Sequence, residues 1–131
     1  MVKYVLLIHS NPRPWGHPTS DYLPEYRAMS QEERDRVNSD FEKLLGEMQE
    51  KGELLTGEAL GAPESARLYR WGAGKPLVTD GPYSEAKEHL AGFFLIDVES
   101  PARAEEIAAQ FAGPGETVEL RPAMWPGGDD Q

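Results

Sequence analysis

Three acid–base side chains stand out in this chain: Asp80, His9 and Glu88. Asp80 opens Asp80-Gly81-Pro82, where an Asp ties its own turn by accepting amides two residues on. That rigidity is what an acid or base at a cleft mouth needs, and equally what a plain turn supplies. His9 closes an apolar run on the face shared with Val5 and Leu7. An ordinary imidazole exchanges protons near neutrality, so His9 reads as a general base or as a strand-end histidine bonded to a carbonyl. Glu85, Glu88 and His89 are spaced i, i+3 and i+4. They would share one face of a helix, as a proton relay, as a metal-holding cluster or, more commonly, as a solvated charged face. With three histidines and no cysteine, the spacings carry no zinc signature, and thiolate, iron–sulfur and disulfide chemistry are excluded. No Gly-rich phosphate loop and no nucleophile elbow is present. Neither a metal nor a cofactor is called for.

The elements that must hold these groups follow from hydrophobic period. Residues 2–9 are apolar at nearly every position and form a strand with two apolar faces. Residues 10–29 hold Pro12, Pro14, Pro18 and Pro24 and read as a long loop with a short turn near Asp21–Tyr26, on which Trp15 and His17 could serve as a lid. Ser30-Gln31-Glu32-Glu33 is a capping box, and Val37, Phe41, Leu44, Leu45 and Met48 give the stripe of an amphipathic helix ending at Gly52. Gly46 within it costs about 1 kcal/mol against alanine and leaves room for close packing.

Strands are expected at Leu54–Leu60, Ala66–Trp71 and Pro76–Thr79, the last two joined as a hairpin through Gly72-Ala73-Gly74. One or two helical turns are expected over Ser84–Leu90. Leu90–Val98 is a second strand with two apolar faces, Ser100-Pro101 starts a second helix, and Thr117–Arg121 is a last strand, with Arg121 beside Glu119. Trp71 and Trp125 read as packing residues, and residues 126–131 as a flexible tail after a single domain over 1–125.

Removing the hairpin leaves βαββαβ, a ferredoxin-like α+β unit with both helices on one sheet face. The other face is also apolar, which calls for a second subunit and predicts a homodimer packed sheet to sheet. The 131 residues suit one domain. Acidic residues outnumber basic ones 23 to 13, a net charge of −10, so nucleic-acid backbones and anionic membrane surfaces are poor partners. No run reaches the ~20 apolar residues of a membrane span, and a cytoplasmic protein is expected.

Thr79-Asp80-Gly81-Pro82-Tyr83-Ser84-Glu85-Ala86-Lys87-Glu88-His89-Leu90-Ala91-Gly92-Phe93-Phe94-Leu95-Ile96-Asp97 resembles the signature of the YCII-related, DGPF-type family, with Tyr83 where the motif usually has phenylalanine. Lys3–Ile8, Lys75–Thr79 and Val118–Pro122 resemble it too. The resemblance implies a small bacterial protein with a dimeric α+β barrel fold. It also implies an acid–base site of the His–Asp kind by likeness to muconolactone isomerase, with Asp80 fitting the motif's aspartate. Ser30–Val37, where the family's histidine would fall, contains none, and His9 is the best-placed substitute. The expected function is binding of a small organic molecule in a cleft lined by the open sheet face, with isomerase- or lyase-like chemistry by Asp80, His9 and Glu88. Tyr83, Trp15 and Arg121 are expected to contact the ligand. The alternative is a non-catalytic regulatory or accessory protein associated with an extracytoplasmic-function sigma factor.

Overall fold

The computed structural model describes residues 2–83 and 86–124; Glu85, Trp125 and the expected tail 126–131 lie outside them. Strand β1 (Val2–Ser10) leads into the proline-rich segment. That segment holds a 3-10 turn (Thr19–Tyr22) and a one-turn helix α1 (Pro24–Arg27). Long helix α2 (Gln31–Glu50) is followed by β2 (Leu54–Ala59), the hairpin strands β3 (Arg67–Gly72) and β4 (Lys75–Asp80), then β5 (His89–Val98), α3 (Pro101–Phe111) and β6 (Thr117–Pro122).

The main sheet is antiparallel with the order β2-β5-β1-β6, which is the ferredoxin-like α+β arrangement expected from the element order. Register decides which side chains share a face. Leu6 stands opposite Phe94 and Leu120, and Tyr4 opposite Ile96; these belong to the core beneath the helices. There Leu6, Leu44, Met48, Ile96, Val98, Ala104 and Ile107 are essentially sealed from solvent. The alternate residues Val5, Leu7 and His9 face the other way, with Leu95, Phe93 and Leu90 as their β5 partners and Arg121, Glu119 and Thr117 as their β6 partners. Val5, Leu7, Phe93 and Leu95 are half-buried on this open face.

Both helices start as their sequences direct. Ser30 Oγ accepts from the Glu33 amide at 3.1 Å while the Glu33 carboxylate accepts from the Ser30 amide at 3.4 Å, satisfying two donors that helix geometry leaves unpaired. Ser100 Oγ accepts from the Arg103 amide, with Pro101 at the first helical position. A Cβ on Gly46 would meet nothing within 4 Å, so the room left by that glycine is not used for packing.

A buried ion pair links the layers. Arg103 on α3 makes two 2.9 Å bonds to Glu53, just ahead of β2, and both side chains are below 10% exposed. The guanidinium holds the Glu53 carboxyl below its ordinary value, and Glu53 in turn raises Arg103.

Two local expectations need correction. Residues 86–88 form no helix, and β5 already begins at His89, which pairs with Ser10. His89 is held in the ladder and residues 86–88 before it are irregular, so Glu88 and His89 do not share a helical face. The segment 10–29 is also more ordered than a plain loop: Thr19, Leu23 and Tyr26 are buried, and the Trp15 indole and His17 imidazole both donate to the Leu60 carbonyl, at 2.9 and 2.8 Å.

The hairpin forms as expected. Its two-residue turn places Ala73 at φ 51° and Gly74 at φ 76°, left-handed values that match the twist of paired strands. Among the described residues, β3 and β4 pair only with each other.

Candidate functional site

The larger concavity lies on the helix side of the sheet, not on the open face where the cleft was expected. It measures about 1050 Å³ and is walled by α2, the 17–21 segment, β2, β5 and the end of α3. Its floor is aromatic. The Phe111 ring stands edge-to-face against Phe41 at 5.1 Å and against Phe94 at 5.0 Å, the arrangement that ring quadrupoles favour. Sequence spacing explains the opening. Val37 and Phe41 occupy the first half of the α2 stripe and line the cavity, and Val37 remains 39% exposed. On the sheet, Gly57 presents no side chain over the Phe94 ring; a Cβ would come within 2.6 Å of it.

The rim is acidic. Asp21, Asp40, Glu42, Glu47, Glu58 and Glu116 line the concavity, against Lys43 as its lysine. Thr19 Oγ1 donates to the Glu116 carboxylate, tying the 17–21 wall to the approach to β6. Low-dielectric walls concentrate such a field. The cavity therefore combines an apolar, ring-shaped floor with a rim that favours positive charge.

A second concavity of about 590 Å³ is lined by His9, Asn11, Leu23, Pro24, Glu25, Lys87, Glu88 and Gly115. It brings together two of the three expected acid–base groups, His9 and Glu88. The direct partner of His9 is Glu119: Nε2 lies 2.9 Å from Oε1, and Glu119 continues to Arg121 at 3.8 Å. With Nε2–H donating to that carboxylate, Nδ1 presents a lone pair, the arrangement of an oriented base.

Asp80 lies elsewhere. It ends β4 on the hairpin, its side chain is 87% exposed, and its carboxylate pairs with Arg67 at 3.5 Å; it lines neither concavity. Tyr83 is also exposed, with the Arg70 guanidinium 5.2 Å from its ring centre. Trp15 anchors the loop to Leu60 and His17 lines the larger cavity. Arg121 stands on the open face in the row His9–Glu119–Arg121.

Residues that sequence reasoning passed over are Glu119, Phe41, Phe94 and Phe111 as site components. The phenylalanines read as core. Glu119 needed the register, since it sits opposite Leu7 and diagonal to His9, and residue spacing says nothing of that. Among the described residues, no group of three or more His, Cys, Asp or Glu side chains is placed to hold a metal ion. No described helix is long and apolar enough to cross a membrane.

An uncharacterised protein of Rhizobium meliloti (strain 1021) is 35% identical over 98 residues, covering 72% of this chain and 79% of that protein. Residues 2–121 match the YCII-related domain, and the chain belongs to the YCII-related family.

Proposed function

We propose that this protein binds a small organic molecule with an apolar, ring-sized body and a cationic group in the cavity between α2 and the sheet. The observation that carries this is the Phe41–Phe111–Phe94 floor beneath a rim of carboxylates. Aromatic edges and faces accept an apolar body and attract a cation at their faces. The volume of about 1050 Å³ lies just above the small-molecule range of about 300–1,000 Å³. The test is a thermal-shift and ligand-observed NMR screen of matched ring compounds bearing amine, neutral or carboxylate groups. The amines are expected to bind, and Val37→Trp, which fills the cavity from α2, is expected to remove that binding. Carboxylates binding as well as amines, or binding that survives Val37→Trp, would refute the reading.

The second reading is proton transfer at the smaller concavity, favoured by the 2.9 Å His9–Glu119 contact with Glu88 across the same space. The homodimer belongs with both. Val5, Leu7, Phe93 and Leu95 form a half-buried apolar strip on the face opposite the core under the described helices, and a second copy supplies a layer for it.

A further inference from the structure

Six carboxylates line the phenylalanine cavity, and one of them differs from the rest. Asp21, Asp40, Glu42, Glu47 and Glu58 are solvent-exposed, whereas Glu116 is half-buried. Exposed carboxylates are screened by water and keep their side-chain freedom, so a cation gains little from each. Glu116 is held. Its amide donates to the Gly113 carbonyl at 3.1 Å, closing the turn between α3 and β6. Its Oε2 accepts from the hydroxyl of Thr19, a residue only 8% exposed. Among the described residues, no other carboxylate on this rim accepts from a side-chain donor.

Thr19 leaves the second oxygen open. Oε1 lies beside Gly113, another residue of the cavity wall, and a Cβ built on that glycine would be 3.9 Å from it. Among the described residues Oε1 has no donor. A carboxylate oxygen fixed through its neighbour and left without a donor is a preorganised acceptor, and bonds to a charged acceptor are roughly twice as strong as neutral ones. The cavity thus presents two recognition elements of different chemistry. The ring faces of Phe41, Phe94 and Phe111 attract any cation, quaternary or not. The Glu116 oxygen selects a cation that also carries an N–H.

Resting on the cavity reading above, we infer that Glu116 reads the cationic group of the ligand, and that the ligand is a protonated amine with at least one N–H rather than a quaternary ammonium compound. The N–H donates to Glu116 Oε1 while the apolar body lies over the phenylalanine floor. Thr19 is a positioning residue: its hydroxyl acts through the carboxylate it fixes.

The test is calorimetry on the full chain with three probes that share one apolar body: phenethylamine, its N,N,N-trimethyl analogue and phenethyl alcohol. Wild type is expected to prefer the amine over the quaternary analogue by at least ~10-fold. Glu116→Gln keeps an acceptor for Thr19 and removes the charge. It is expected to weaken the amine at least ~10-fold, to bring amine and quaternary analogue close to parity, and to leave the alcohol as in wild type. Asp40→Asn, which removes an exposed rim carboxylate, is expected to weaken the amine by no more than ~5-fold. Thr19→Val is expected to keep the circular dichroism of the wild type and to reduce the advantage of the amine over the alcohol; it carries the test should Glu116→Gln fail to fold. A quaternary analogue that binds as tightly as the amine overturns the inference. So does a preference for the amine that persists in Glu116→Gln, which is then steric, or an equal loss of amine and alcohol, which marks Glu116 as structural. In each of these cases, amine binding that Val37→Trp removes leaves the cavity reading standing. Binding of none of the three probes to wild type refutes that reading, and this inference with it.

Discussion

Arg103→Met isolates what the buried ion pair contributes. The substitution keeps most of the aliphatic volume and removes a guanidinium that makes two 2.9 Å bonds to Glu53. Glu53 is 4% exposed, so its carboxylate is left in the interior without a counter-charge. Breaking such a pair costs about 3–5 kcal/mol, against a total of about 5–15 kcal/mol for an ordinary domain. The contact to Glu106, whose side chain is 59% exposed, adds little. In urea, with a slope near 2 kcal/mol/M, the midpoint is expected to fall by about 2 M. Glu53→Leu/Arg103→Met is expected to recover most of that loss, because it removes the stranded charge as well as the bond.

The pH dependence should change sign. In the wild type Arg103 holds the Glu53 carboxyl below the ordinary 4.5, so its stabilisation is full above that value and is lost as pH falls through the lowered one. In Arg103→Met burial pushes the same carboxyl up, and stability contributed by this group increases as pH falls toward it. A single-variant loss below about 1 kcal/mol, or a double variant no more stable than the single, would show that the pair is not the tie between α3 and β2 that its geometry indicates.

Further outcomes follow from named contacts. Gly46→Ala is expected to stabilise the chain by up to about 1 kcal/mol, since a Cβ there meets nothing within 4 Å; chemical denaturation reads it. Asp80→Asn removes one exposed ion pair with Arg67 and is expected to cost no more than about 1 kcal/mol, with amine binding in the phenylalanine cavity unchanged by calorimetry. Glu119→Gln keeps a hydrogen-bond acceptor for His9 but removes the charge beside it. The Nε2–H tautomer that the carboxylate orients is expected to be less dominant, read from the ring-nitrogen chemical shifts by NMR, and unchanged shifts would remove His9–Glu119 from consideration as an oriented acid–base unit. Phe111→Ala opens the cavity floor and is expected to cost about 3–5 kcal/mol, read by thermal unfolding, because the ring is 8% exposed and stacks on both Phe41 and Phe94.

Much of the architecture was legible in the residues themselves. The capping box at Ser30, the Ser100-Pro101 start and the two-faced strands at 2–9 and 90–98 are local signals, set by hydrogen-bonding capacity and by period, and the element order then leaves the ferredoxin-like sheet as the arrangement that buries both helices. Residues 86–90 depart from the helical preference of the charges around them because pairing of His89 with Ser10, a contact between distant residues, overrides it. The site was the least legible part. Asp80 stands out by motif, yet the tertiary structure leaves it on an exposed hairpin. His9 was visible, but its partner Glu119 depended on the β1–β6 register, and the cavity on how α2, β5 and α3 bring Phe41, Phe94 and Phe111 together. Those residues lie far apart along the chain and meet only through the packing of separate elements. Composition and period determine which residues leave water, and the three-dimensional arrangement decides which of them leave a space between them.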